Sequence, residues 1–230
     1  MLRDLQLSSA HNDWAHLRDA VLQAEADGYD TTWVLDHFDG AVMGGDLPVL
    51  ECFTLMGALA ACTTTINIGA LVVNVANRHP AVTAAGASSV QRISGGRLRL
   101  GIGAGAAPES PFASELHARG ISIRPTLAER HDAVVEQLAA LRAVGPMPVI
   151  VGVNSVELAT IAGRWADGVN VRLSSPRAAT YLAAAVEAAE GRPFETSGWA
   201  SVHDHAGQEK AVDLGLDRLI LSRLEPLPPR

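Results

Sequence analysis

Residues 95–105, GGRLRLGIGAG, read as a strand running into a glycine-rich turn, and Gly101, Gly103 and Ala106 satisfy the loose phosphate-loop pattern G-x-G-x-x-G/A. A dinucleotide loop should open directly into a helix. It should also find an acidic residue about 20 positions on, where a ribose hydroxyl is bound. Here APESPF follows, with Pro108 and Pro111 delaying any helix, and the later segment SIRPT carries no acid. The stretch reads better as a strand end where small residues, Gly103 among them, let a ligand approach the backbone closely. A second candidate is the run Gly152, Val153, Asn154, Ser155. Its amides open a helix, and a helix N-terminus favours anions. The same residues also make an ordinary Asn/Ser cap with no ligand, and the residues alone leave both readings open.

Other chemistry finds less support. His11, Asp13 and His16, and the HDH run at 203–205, match no standard ligand spacing, so no metal site is assigned. There is no G-x-S-x-G elbow and no Cys–His motif. The single lysine, Lys210, falls on a late helix, which argues against Schiff-base chemistry.

The elements that must position these residues alternate along the chain. Strands are expected at 5–9, 31–38, 66–75, 97–103, 148–153, 167–173, 199–205 and 218–224. Helices are expected at 14–27, 50–63, 80–93, 126–144, 155–166, 175–190 and 207–217. The apolar spacing of Leu17, Val21, Leu22 and Ala24 supports the first helix, with Gly28 closing it. Pro80 suits a first helical turn, and Thr126 with Glu129 forms a capping box. Uninterrupted βα alternation demands parallel strands with helical crossovers. Eight such units without a linker predict an α/β fold, a closed (β/α)8 TIM barrel as one domain over 1–230, with an open doubly wound sheet as the competitor.

Composition agrees. Hydrophobic residues make up 48% and charged residues 19%, enough for a large core. The net charge of −7, with basic residues scattered, argues against nucleic acid and anionic membranes as partners. No apolar run approaches the ~18 residues of a membrane span. The segment MLRDLQLSSAHNDW lacks a signal-peptide core, so a cytoplasmic location is expected. Cys52 and Cys62 lie in an apolar helical stretch and read as buried thiols. The tail EPLPPR is expected to fray.

Residues 63–105, TTTINIGALVVNVANRHPAVTAAGASSVQRISGGRLRLGIGAG, resemble the bacterial-luciferase-like family of flavin- and deazaflavin-dependent oxidoreductases. That family shows a strand, an RHP turn, an Ala-rich helix, then S-x-G-R and L-G-x-G-x-G. EADGYDTTWVLDHF (25–38), LAERHDAVVEQLAALR (127–142) and PVIVGVNSVELATIAGRWADGVN (148–170) resemble further blocks of it, in the family's order, and GQEKAVDLGLDRLIL extends the likeness near the end.

The resemblance implies a barrel with coenzyme F420, or alternatively FMN, at the strand C-terminal ends, acting on a small-molecule substrate. A non-prolyl cis peptide at Leu71–Val72 would shape the pocket behind the ring, and Asn74 would contact it. The phosphate would sit on Gly152–Ser155. Asp36 and His37 would line the pocket, with His37 handling a proton while the cofactor moves a hydride. Glu109, displaced by one position from the family's pattern, is a second catalytic candidate. Ala41 stands where sugar-phosphate dehydrogenases of the deazaflavin branch carry Trp, which argues against that substrate class. Between the helix ending near Arg142 and the fifth strand only AVGPM remains, so this is a shortened member with trimmed insertions. An FMN monooxygenase and a non-catalytic flavin-binding barrel are the alternatives. A homodimer is implied through early βα units, the helix at 51–62 serving equally as interface or core.

Overall fold

The computed structural model describes residues 1–45 and 49–227, so the last three residues of the tail lie outside the described residues. Eight parallel strands close into a barrel in chain order: β1 (Leu2–Leu7), β2 (Thr31–Val34), β3 (Asn67–Asn74), β4 (Leu98–Gly103), β5 (Val149–Val153), β6 (Gly168–Arg172), β7 (Glu195–Ser201) and β8 (Arg218–Arg223). β8 returns to pair with β1, Leu5 opposite Leu221. The expected TIM barrel is therefore the observed fold, and the open sheet is excluded.

The helices outside are α1 (Trp14–Ala26), α2 (Cys52–Cys62), α3 (Pro80–Ile93), a one-turn α4 (Ser114–His117), α5 (Leu127–Ala143), α6 (Val156–Trp165), α7 (Ala178–Ala188) and α8 (His205–Asp213). Their ends follow local chemistry. Gly28 takes φ +78° just past α1, a conformation that costs glycine nothing. Pro80 occupies the first turn of α3, and His79 before it accepts from the Ala81 amide. Thr126 and Glu129 close the capping box of α5. Glu25 of α1 accepts from the amides of Thr64, Thr65 and Ile66, which fixes the entry to β3 and holds this carboxyl down at about 2 against the effect of its own burial. The inner side of α2 buries Cys52, Leu55, Met56, Leu59 and Ala60, while Ala58 and Ala61 face outward. Cys62 is only half-buried. No helix among the described residues is long and apolar enough to cross a membrane.

Three strands differ from the sequence reading. β1 starts at Leu2 and ends at Leu7, not over 5–9, and β7 covers Glu195–Ser201, not 199–205. β2 stops at Val34, because Asp36 turns to bind the far end of β3. The first two shifts share a cause inside the barrel. At its N-terminal end the interior is ionic: Arg218 donates to Asp4 at 2.6 Å and to Asp30 at 2.5 Å, and its other nitrogens reach Glu195 at 3.1 and 3.2 Å. Arg99 adds a two-pronged contact to Glu195 at 2.7 and 2.8 Å. Charged residues thus open strands whose side chains point inward. Above them lies an apolar layer of Trp33, Leu71, Ile150 and Ile220, and the Trp33 indole reaches down to Asp4 at 2.7 Å. A separate, larger core fills the space between barrel and helices.

Asp4 is fully buried, and burial pushes its carboxyl up to about 6 despite Arg218 and Trp33. A pKa raised by folding means that the group's stabilising contribution is complete below about 4 and is lost as pH rises through about 6. Asp4→Asn should therefore gain on the parent across that window, by about 3 kcal/mol at its upper end, since each unit is worth ~1.4 kcal/mol. Urea unfolding of both proteins from pH 4 to 7 checks this; parallel stability profiles would refute it.

Candidate active site

At the C-terminal ends of the strands, where barrels of this kind carry their sites, lies a cavity of about 690 Å³. Its floor comes from the ends of β3, β4 and β5. The peptide bond between Leu71 and Val72 is cis, at the register shift between β3 and β4. Gln6 of β1 donates to the Leu71 carbonyl at 2.6 Å and accepts from Ser222 of β8 at 2.8 Å. The glycines of β4 and β5 now find their reason. A Cβ on Gly103 would run into Val72 Cγ2, and one on Gly152 would lie 3.0 Å from Val72 Cγ1. The glycines make room for the Val72 side chain, which then forms part of the cavity wall. Gly105, at φ +73°, sits where a Cβ would meet the Asn74 side-chain oxygen at 2.6 Å. LGIGAG (100–105) is thus a packing motif for the end of β3, with no phosphate loop in it.

The RHP turn has an equally physical role. Arg78 grips Asp36 with two nitrogens at 2.8 Å each and Glu51 at 2.6 Å, and lies over the Phe53 ring. The paired carboxylates outweigh burial and hold Arg78 firmly charged. Asp36 also accepts from the Asn74 amide at 3.0 Å, and its backbone carbonyl accepts from Asn77. Its side chain ties the loop after β2 to β3 and α3, so its acceptor sites are largely taken up within the protein.

His37 follows Asp36 and walls the cavity. Its Nδ1 lies 2.7 Å from Oε1 of Glu115, a residue 1% exposed on α4. Glu115 Oε2 accepts from the amides of Phe38 at 2.7 Å and Asp39 at 3.1 Å. Burial pushes the Glu115 carboxyl up, but His37 and the two amides outweigh it and hold it below the usual carboxylate range. Arg119 latches the same contact from outside, donating to the carbonyls of Glu115 and Phe38 and lying 5.2 Å over the Phe38 ring.

The structure gathers Asp36, His37, Leu71, Val72, Asn74, Gly103, Gly152, Val153 and Asn154 around one cavity. Ser155 does not line it; its hydroxyl caps α6 by accepting from the Leu158 amide. Glu109 is exposed on the loop after β4 and lies off the cavity walls. Sequence reasoning missed Glu115, six positions further on in a one-turn helix that no periodicity announces. It missed Gln6 and Asn170, buried polar residues in apolar strands, which is a signal it could have used. It also missed the cations Arg130 and Arg172 on the wall. Arg130 donates to the carbonyls of Arg124 and Pro125, and Arg172 stacks on Trp199 at 5.1 Å. No carboxylate among the described residues lies within ion-pair distance of either. No group of three or more His, Cys, Asp or Glu among the described residues is placed to hold a metal ion.

The 5,10-methylenetetrahydromethanopterin reductase of Archaeoglobus fulgidus is 27% identical over 217 residues, covering 83% of this chain and 61% of that protein. A luciferase-like monooxygenase of Escherichia coli is 33% identical over 96 residues, 42% of this chain and 28% of that one. Among solved structures, an F420-dependent secondary alcohol dehydrogenase in complex with an F420-acetone adduct has a TM-score of 0.72 at 18% identity, over 87% of this chain and 69% of that chain. The coenzyme F420 dependent tetrahydromethanopterin reductase from Methanopyrus kandleri has a TM-score of 0.74 at 14% identity, over 96% and 92%. These structural likenesses show the barrel fold. The chain spans 61% of the length of the Archaeoglobus reductase and 49% of a second one, from Methanolobus tindarius. The model of the family described as luciferase-like monooxygenase matches residues 3–145, more than half of the sequence, and the chain belongs to that family.

Proposed function

We propose that this protein is an oxidoreductase that moves a hydride between coenzyme F420 and a small organic substrate, with His37 as the group that gives or takes the accompanying proton. The observation that carries the reading is the composition of the cavity wall: an apolar floor, two guanidinium groups with no carboxylate partner among the described residues, and one imidazole, in about 690 Å³. That volume is in the ordinary range for a small-molecule site. The residues present fit a deazaflavin with an anionic tail. Leu71, Val72, Asn74 and Gly103 would hold its ring. Gly152, Val153 and Asn154, leading into the N-terminus of α6 behind Ser155, would hold its phosphate with Arg130 and Arg172 beside it. When bound, the deazaflavin supplies hydride transfer at carbon 5 of its ring.

The protein's own part is to bind, orient and manage a proton. Of the titratable side chains on the wall, Asp36 is clamped by Arg78, and arginine does not release its proton. That leaves His37. Glu109, exposed and off the wall, takes no part. The 27% identity to a 5,10-methylenetetrahydromethanopterin reductase, together with the likeness in fold to a coenzyme F420 dependent tetrahydromethanopterin reductase, supports the deazaflavin over FMN.

A fluorescence titration with coenzyme F420, and with FMN beside it, tests the reading. Micromolar or tighter binding of the deazaflavin, with FMN much weaker, is the expected result. Preferential FMN binding would move the assignment to a flavin monooxygenase. Binding of neither would end the enzyme reading.

A further inference from the structure

We propose that Glu115 is a positioning residue that fixes the His37 imidazole in one tautomer, with the proton on Nδ1 and with Nε2 left as the acceptor on a ring that walls the cavity. The argument is one of donors and acceptors. An ionised carboxylate only accepts hydrogen bonds. Oε2 of Glu115 is committed to two backbone amides, of Phe38 and Asp39, neither of which can turn away without breaking the loop after β2. Oε1 faces His37 Nδ1 at 2.7 Å. With the carboxylate ionised, the nitrogen it meets must carry the hydrogen, and a neutral ring then has its lone pair on Nε2.

The arrangement is built across a long stretch of chain. Glu115 sits 78 residues from His37, on a helix of four residues that is too short to stand alone. α4 is held in place by this contact, by Arg119 bridging the carbonyls of Glu115 and Phe38, and by the fully buried Leu116 side chain. The segment after β4 thus reaches over to the loop after β2 and sets the ring from behind.

Exchange of one atom should invert the ring. In Glu115→Gln the amide oxygen is needed by the Phe38 and Asp39 amides, so the amide nitrogen must turn to Nδ1 as a donor. Nδ1 then becomes the acceptor and the proton moves to Nε2. Where a carboxylate orients a catalytic imidazole in serine proteases, the same kind of exchange lowers turnover about 10⁴-fold through the wrong tautomer.

The test is a long-range ¹H–¹⁵N correlation spectrum of ¹⁵N-histidine-labelled protein at a pH where the imidazoles are neutral. His37 is identified among the eight histidines by its absence from the His37→Gln spectrum. The expected pattern is Nδ1–H in the parent and Nε2–H in Glu115→Gln. An Nε2–H parent, or a variant that keeps the parental pattern, would overturn the proposal. If near-UV circular dichroism shows that Glu115→Gln does not fold, Glu115→Asp serves instead: its shorter carboxylate must preserve Nδ1–H, and an Nε2–H ring there would equally overturn it.

The consequence for turnover rests on the function proposed above, but the tautomer does not. The spectra need no cofactor. Loss of deazaflavin binding would sink the functional reading and leave this one standing, whereas a wrong tautomer in a protein that binds the deazaflavin would do the reverse.

Discussion

His37→Ala should lower turnover in deazaflavin-coupled assays by about 10²- to 10⁴-fold, the usual worth of a placed general acid or base, while the dissociation constant for coenzyme F420 changes by only about threefold. The two halves of this expectation come from different parts of the wall. Affinity is assigned to the floor of Leu71, Val72 and Gly103 and to Arg130 and Arg172, none of which is bonded to the His37 side chain. Proton traffic is assigned to His37, since Asp36 is spent on Arg78 and the Asn74 amide. Turnover and fluorescence titration on the same preparation separate them. If affinity falls as far as turnover, His37 is a binding group and the proton role is lost. If neither falls, the reacting atoms lie elsewhere in the cavity.

Much of this architecture can be read from the sequence, and what cannot has a physical pattern. The helices were legible because their ends carry their own chemistry: Gly28 at φ +78°, Pro80 in the first turn, the Thr126–Glu129 box. Five strands, β3, β4, β5, β6 and β8, were legible to within a residue at each end, where apolar side chains face two cores, while β2 was carried too far because Asp36 turns away to the end of β3. β1 and β7 were misread at Leu2–Asp4 and at Glu195–Ser197, because the barrel's N-terminal interior is an ion network and its inward residues look like surface ones. The site divides in the same way. Leu71 and Val72, which the family resemblance implied, and Gly103, read as a strand end, line one cavity. Glu115 was out of reach. Its role depends on where a loop of irregular structure lands, and the nearby Glu109 carries the same side chain to the outer surface. A carboxylate's function is set by the two amides and the imidazole it meets, and none of those partners is local in sequence.

That ion network is where the largest loss of stability is expected. Arg218→Met should destabilise the fold at neutral pH by about 3–5 kcal/mol, the scale for removing one partner of a buried charge cluster. Arg218 is 1% exposed and serves three carboxylates at once. Without it, Asp4, Asp30 and Glu195 share only Arg99, which bonds to Glu195 alone. The uncompensated carboxylates become harder to ionise in the folded protein, so the variant's deficit should be greatest at neutral pH and shrink as the solution is acidified towards pH 4. Adding Asp4→Asn should recover part of the loss, because it removes the most deeply buried of the three charges. Chemical unfolding of the parent, the single variant and the double variant at pH 7 and pH 5 measures all of this. A deficit that is independent of pH would mean that lost packing, and not unpaired charge, sets the cost. The network closes the barrel at the end opposite the cavity, with the layer of Trp33, Leu71, Ile150 and Ile220 between them. Folded Arg218→Met protein should therefore keep the deazaflavin affinity of the parent, since nothing it alters reaches the floor at Val72.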